Sequence, residues 1–187
     1  MEKETNPWKG FFVGMLGGMF GLLAMRFYWQ RIAPRVLQSA EERNLLTNSI
    51  CDDDAFDDVS IYGPQYQKGE SAYAVFGRKI FRLFTGREPR AKETKSMLEN
   101  LALMDFGMSH GGIYGAIQGK NPGLDLKGGL LYGLTLWLLY DEAMYPLLGL
   151  QPGPSASKPV DHLNRLGAHL CYGGATSLST QVLYRLF

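Results

Sequence analysis

Four stretches of the chain are mostly apolar, and a long polar segment divides the first from the other three. Residues 10–29 (GFFVGMLGGMFGLLAMRFYW) carry one charge, Arg26, close enough to the end to snorkel. About 20 such residues cross about 30 Å of hydrocarbon. The blocks 97–118, 128–150 and 160–187 have helical length but are interrupted by Glu99, Asp105 and His110, by Asp141 and Glu142, and by His162, Arg165 and His169. The pattern predicts an all-α, integral membrane four-helix bundle, with a long polar, partly helical loop (30–96) between spans one and two. Trp8, Tyr28 and Trp29 bracket the first span as an aromatic belt. The leader MEKETNPWK is charge-balanced and no A-x-A-like site follows, so this span is expected to be retained.

The alternative, a soluble bundle with these blocks as core helices, is answered by the glycines. Gly10, Gly14 and Gly18 recur at steps of four, as do Gly107, Gly111, Gly115 and Gly119, then Gly129 and Gly133. Glycine in a water-exposed helix costs about 1 kcal/mol relative to alanine. Between helices in lipid the same stripe permits close backbone packing.

Pro122-Gly123 and the stretch Gln151-Pro-Gly-Pro-Ser155 mark turns. The 30–96 segment holds 11 basic and 10 acidic residues. Within it Pro34 is expected to end or kink the first helix, 35–48 reads as a short surface helix, and 51–58 (CDDDAFDD) is an acidic loop without EF-hand spacing. In 71–84 (SAYAVFGRKIFRLF), Ala72, Tyr73, Phe76, Ile80, Leu83 and Phe84 share a helical face, with Arg78 and Arg82 away from it and Lys79 at its edge. Two readings fit: a basic helix lying among lipid headgroups, or a helix packed on the protein's own spans.

Composition changes the picture in a few places. The 187 residues carry 19 basic and 18 acidic side chains, a net charge of +1, so a general nucleic-acid binder is excluded. A mean hydropathy of −0.13 conceals the clustering of apolar residues. Cys51 and Cys171 make neither a disulfide scaffold nor a zinc site. GxSxG, P-loop, HExxH and dinucleotide-binding patterns are missing, so no enzymatic activity is expected. Basic residues concentrate on the side bearing the excursion, which predicts a cytoplasmic excursion with both termini outside.

Spans one and three both open on Lys-Gly (Lys9-Gly10, Lys127-Gly128) and contain Ala-Met farther on (Ala24-Met25, Ala143-Met144). Spans two and four share His…Tyr-Gly, at His110…Tyr114-Gly115 and His169…Tyr172-Gly173. These matches suggest two parallel hairpin repeats, with His110 and His169 at similar depth.

Charges in lipid pair or line a cavity. Antiparallel neighbours bring Arg26 toward Glu99, and Asp141 and Glu142 toward Arg165 and His162, so an ionic layer is expected with Asp141 or Glu142 paired to Arg165. Deeper, His110, Tyr114 and Gln118 share a face of span two, and His162, Arg165, His169, Tyr172, Thr176 and Thr180 form a stripe on span four. Both stripes must face protein. Three functions fit. The first is a non-enzymatic membrane protein packing with itself or other membrane subunits through its glycine faces. The second is a proton- or ion-conducting protein using His110, His169, Asp141 and Glu142. The third is a bis-histidine subunit with haem b held by His110 and His169.

The Gly-rich first span, the polar excursion, the central histidine of span two, Asp141-Glu142 followed by Pro146-Leu-Leu-Gly-Leu-Gln-Pro152, and the His-bearing last span together resemble the YagU-like family of small bacterial inner-membrane proteins. The resemblance covers most of the chain. It implies an inner-membrane location and self-association, and it supplies no catalytic residues.

Overall fold

Asn6 starts the first helix by accepting hydrogen bonds from the N–H groups of Trp8 and Lys9, with Pro7 at the first helical position, where no N–H is needed. The computed structural model describes residues 6–42, 59–67, 69–118 and 125–186. The acidic loop 51–58, residues 43–48, the Pro122-Gly123 turn and Gly119 lie outside these. Helix α1 (Pro7–Phe27) runs through a π-helical turn (Tyr28–Ile32) into α2 (Ala33–Glu42). Pro34 therefore does not end the helix. The wider turn just before it absorbs the missing N–H and the ring's clash with the preceding turn. Then follow α3 (Ala72–Thr85), α4 (Lys92–Gln118), α5 (Leu126–Leu136), a second π segment (Trp137–Met144), α6 (Tyr145–Leu147) and α7 (Pro159–Leu186). Pro146 stands two residues beyond the second π segment, as Pro34 does beyond the first. The described residues contain no strand.

By length and composition one helical run among the described residues, Pro7–Gln38, is apolar enough to cross a membrane alone. The other three expected spans do not meet that standard, because charged and histidine residues interrupt them.

Helix α1 packs against both α4 and α7, α5 packs against α7, and α3 lies on α4. Glycines set the first three contacts. A Cβ on Gly111 would stand 2.6 Å from the Gly18 Cα, and one on Gly14 would stand 2.8 Å from the Gly115 Cα. The pairs Gly10–Gly115, Gly14–Gly111 and Gly18–Gly107 step in opposite directions, so α1 and α4 are antiparallel. Gly17 and Gly21, one position along the same helix, meet Thr180 and Thr176 of α7. Gly129 and Gly133 meet α7 at Gly173 and His169. The glycine faces are thus occupied within the chain. Long side chains bridge the remaining gap between α4 and α5, where the Tyr132 hydroxyl donates to the His110 carbonyl at 2.8 Å and the Tyr114 and Tyr132 rings lie 5.2 Å apart.

Burial is inverted relative to a water-soluble bundle. Thr176 and Ser177 are fully buried and Asn164, Thr180 and Gln181 nearly so, whereas Phe12 and Leu23 are each 63% exposed, with Leu16, Phe20, Leu178 and Val182 also outside. Small and polar groups share the interior with Met25, Tyr28, Leu136 and Tyr172, while many large apolar side chains face out.

Residues 59–67 lie along the α6 end, with the Ile61 and Gln65 amides donating to the Leu147 and Gly149 carbonyls at 2.9 and 2.8 Å. Arg78 clamps this segment: Nη2 donates to the Gln65 carbonyl at 2.7 Å and, together with Nε, to the Glu70 carboxylate, each at 3.0 Å. Burial pushes the Glu70 carboxyl up, but the hydrogen bonds from Arg78 and the Gln67 N–H outweigh it and hold the carboxyl below its ordinary 4.5. A depressed carboxylate stabilises the fold fully above that ordinary value and loses the contribution as pH falls through the lower one. Hydrogen-exchange protection at Ile61 and Gln65, corrected for intrinsic rates, is therefore expected to drop on acidification. Glu70→Gln should show the acid behaviour at neutral pH, and equal protection in the two proteins would separate the clamp from the segment.

Candidate functional site

The π segment is where the chain's chemistry gathers. An ordinary helix bonds each N–H four residues back; here the Tyr145 N–H reaches the Tyr140 carbonyl, five back, and the Gln151 side-chain amide caps the Asp141 carbonyl. Three consecutive side chains of this segment each engage one of the chain's three histidines. Tyr140 Oη lies 2.8 Å from His110 Nε2, Asp141 Oδ2 lies 3.2 Å from His169 Nδ1, and Glu142 Oε1 lies 2.6 Å from His162 Nδ1.

Hydrogen-bond logic fixes much of the protonation pattern. His110 Nδ1 faces the Phe106 carbonyl at 2.8 Å, so it carries hydrogen, and a neutral His110 accepts the Tyr140 proton at Nε2. His162 has the Pro154 carbonyl at 2.9 Å from Nε2 and the Glu142 carboxyl at Nδ1. Nε2 must donate, so the Glu142–His162 contact holds one proton, on either partner. His169 Nδ1 bonds the Arg165 carbonyl at 3.0 Å, and Asp141 Oδ2 lies beside it at ion-pair distance, buried and without a hydrogen bond of its own. His169 Nε2 is buried with no protein partner.

A separate group of polar contacts lies toward the other end of the bundle. Tyr114 donates to Ser177 at 2.8 Å, Ser177 donates to the Asp125 carbonyl at 2.9 Å, and Gln118 donates to the Asp125 carboxyl at 3.2 Å. In the opposite sense Tyr172 donates to the Gly107 carbonyl at 2.6 Å. Tyr114 and Tyr172, matched in the suggested repeat, thus each reach across to the other hairpin. At the usual helical rise of 1.5 Å per residue, the distance along α5 and the π segment from Asp125 to Glu142 is about 25 Å.

Several expected pairings are replaced. Arg165 pairs with neither Asp141 nor Glu142; it donates to Ser157 at 3.2 Å, and the carboxylates take histidines instead. Glu99 accepts from Ser71 at the start of α3, at 2.5 Å, while Arg26 is exposed and forms no ion pair among the described residues. Asp105 is exposed on α4. The residues do not fit bis-histidine haem ligation. Both ring nitrogens of His110 are engaged, its ring stacks on Phe106 at 4.0 Å, and the space beside it is filled, Gly111 by α1 backbone and Gly112 by Phe11 and Met15. No group of three or more His, Cys, Asp or Glu side chains among the described residues is arranged to hold a metal ion. Sequence reasoning missed Tyr140, a π-segment neighbour of Asp141. It also missed Gly17 and Gly21, whose spacing of four was available.

Comparisons with protein-family models, with curated proteins and with solved structures found no match to this chain.

Proposed function

We propose that this chain is a non-enzymatic, multi-pass integral membrane protein that passes protons through its bundle by way of the three histidine pairs. The observation that carries the reading is the seating of His110, His169 and His162 on consecutive residues Tyr140, Asp141 and Glu142. Each contact joins groups able to exchange a proton, and titratable side chains inside a membrane, being costly, mark such paths where they occur. The membrane placement is supported by the inverted burial. A hydroxyl- and amide-rich interior beneath an apolar exterior suits hydrocarbon surroundings and would be unfavourable in water. With about 25 Å between Asp125 and Glu142, the two groups of polar contacts lie toward opposite sides of the roughly 30 Å of hydrocarbon. The resemblance to the YagU-like family favours the bacterial inner membrane, and the charge distribution a cytoplasmic 30–96 segment.

The test is pH-gradient dissipation in liposomes containing the purified chain. Flux is expected above that of protein-free vesicles, and lost in the triple variant His110→Ala, His169→Ala, Asp141→Asn. Equal flux from the variant and the parent would reject the path.

Packing with a second copy or another membrane subunit is a second reading. The observation favouring it is the aromatic-rich outer face of α1, with Phe12, Phe20 and Phe27 all exposed. Because the glycines are engaged inside the chain, such a partner would sit on this outer face.

A further inference from the structure

Helix α3 divides into two halves. Its first half is packed: Ala72 and Val75 are buried with Tyr145 and Leu150, and a Cβ on Gly77 would stand 2.7 Å from the Leu98 carbonyl oxygen of α4. Its second half turns apolar side chains outward. Ile80 is exposed there, as is Phe76 just before it, and Leu83 and Phe84 are 77% and 82% exposed. These four share one helical face, and Met97, Leu101 and Met104 extend the exposed apolar surface along α4.

Beside this ridge, where α3 turns into α4, lies an open cleft of about 910 Å³ whose walls include Phe81, Arg87, Arg90 and Thr94. The cations here are unevenly satisfied. Glu88 is taken by Arg82 at 3.3 Å and Arg78 at 3.7 Å. Arg87, Arg90 and Lys92 are exposed and form no ion pair among the described residues, and Glu93 is the one acid in the first turn of α4. An apolar ridge adjoining a surplus of positive charge matches the two layers of a leaflet surface, acyl chain beneath and phosphate above. Arginine also suits phosphate oxygens geometrically.

We infer that the second half of α3 and the adjoining cleft form a docking site for anionic phospholipid headgroups, with Leu83 and Phe84 inserted among acyl chains and Arg87, Arg90 and Lys92 on the phosphates. The inference rests on the membrane placement proposed above, not on proton transfer.

Spin labels in nanodiscs test it, with the full chain carrying Cys51→Ser and Cys171→Ala and a single new cysteine, Phe84→Cys or, as a control on the outer face of α1, Leu23→Cys. In discs containing phosphatidylglycerol the label at 84 should be more accessible to oxygen than to a water-soluble nickel chelate. That preference should shift toward the chelate in pure phosphatidylcholine, and likewise in phosphatidylglycerol discs when Arg87→Gln, Arg90→Gln and Lys92→Gln are combined. A depth at 84 indifferent to lipid charge and to these substitutions would overturn headgroup recognition. So would a label at 84 facing water, or one shielded from both reagents by a second copy, while the label at 23 lies in lipid. A water-facing label at 23 would instead overturn the membrane placement itself.

Discussion

Gly173→Ala is expected to destabilise the bundle strongly while Gly174→Ala, one residue on, leaves it nearly unchanged. A Cβ on Gly173 would lie 2.8 Å from the Gly133 nitrogen and 3.0 Å from its Cα, and backbone cannot turn aside. On Gly174 the nearest atoms are the flexible tips of Leu126 and Leu130, at ordinary contact distances of 3.5 and 3.6 Å. Forcing atoms into a filled contact costs about 1–3 kcal/mol, and here two helices must separate along their length, so the upper end of that range is expected. A substitution that meets open contact stays within about 0.5 kcal/mol. Gly111→Ala should resemble Gly173→Ala, because it meets the Gly18 Cα at 2.6 Å. Thermal unfolding in mild detergent, followed by circular dichroism, checks all three. Equal melting of the Gly173 and Gly174 variants would mean that α5 and α7 do not meet as described.

Asp141→Asn should nearly abolish proton flux with the fold intact. The amide keeps the size of the carboxyl and can sit beside His169 Nδ1, whose hydrogen bond goes to the Arg165 carbonyl, so the packing survives while the exchangeable carboxyl proton is lost. A positioned proton-transfer side chain contributes about 10²–10⁴-fold to a rate, and a loss of about 10²-fold is expected in liposomes. Asp141→Glu should restore part of it, and Tyr140→Phe should reduce flux less, since it removes a hydroxyl from His110 but leaves the carboxylate pairs. An Asp141→Asn protein with parental flux and parental melting would confine Asp141 to a structural role.

The glycine contacts were legible because steps of four put small residues on one face whatever the neighbour. The register then followed from backbone meeting backbone, at Gly14 and Gly111 for example. The buried stripe on α7 was legible for the same reason, and Ser71 and Gly86 bound α3 almost where its apolar period ends. What could not be read was the pairing of Asp141 and Glu142. Depth matching between antiparallel helices placed them level with both Arg165 and His162, but azimuth decides the partner, and depth alone does not give it. The π winding from Trp137 onward re-aims both carboxylates, toward His169 and His162. A hint lay in the prolines. Pro34 and Pro146 each follow such a turn by two residues, yet an isolated proline reads as a helix end.

The winding between Trp137 and Met144 ties three side chains to one backbone variable. Were that stretch to tighten by a single residue, everything beyond it would rotate and shift together, and the histidines would be released as a set instead of singly. Deleting one residue there therefore tests more than any side-chain replacement, since the helix would keep nearly all its length and hydrophobicity but would aim its acids elsewhere.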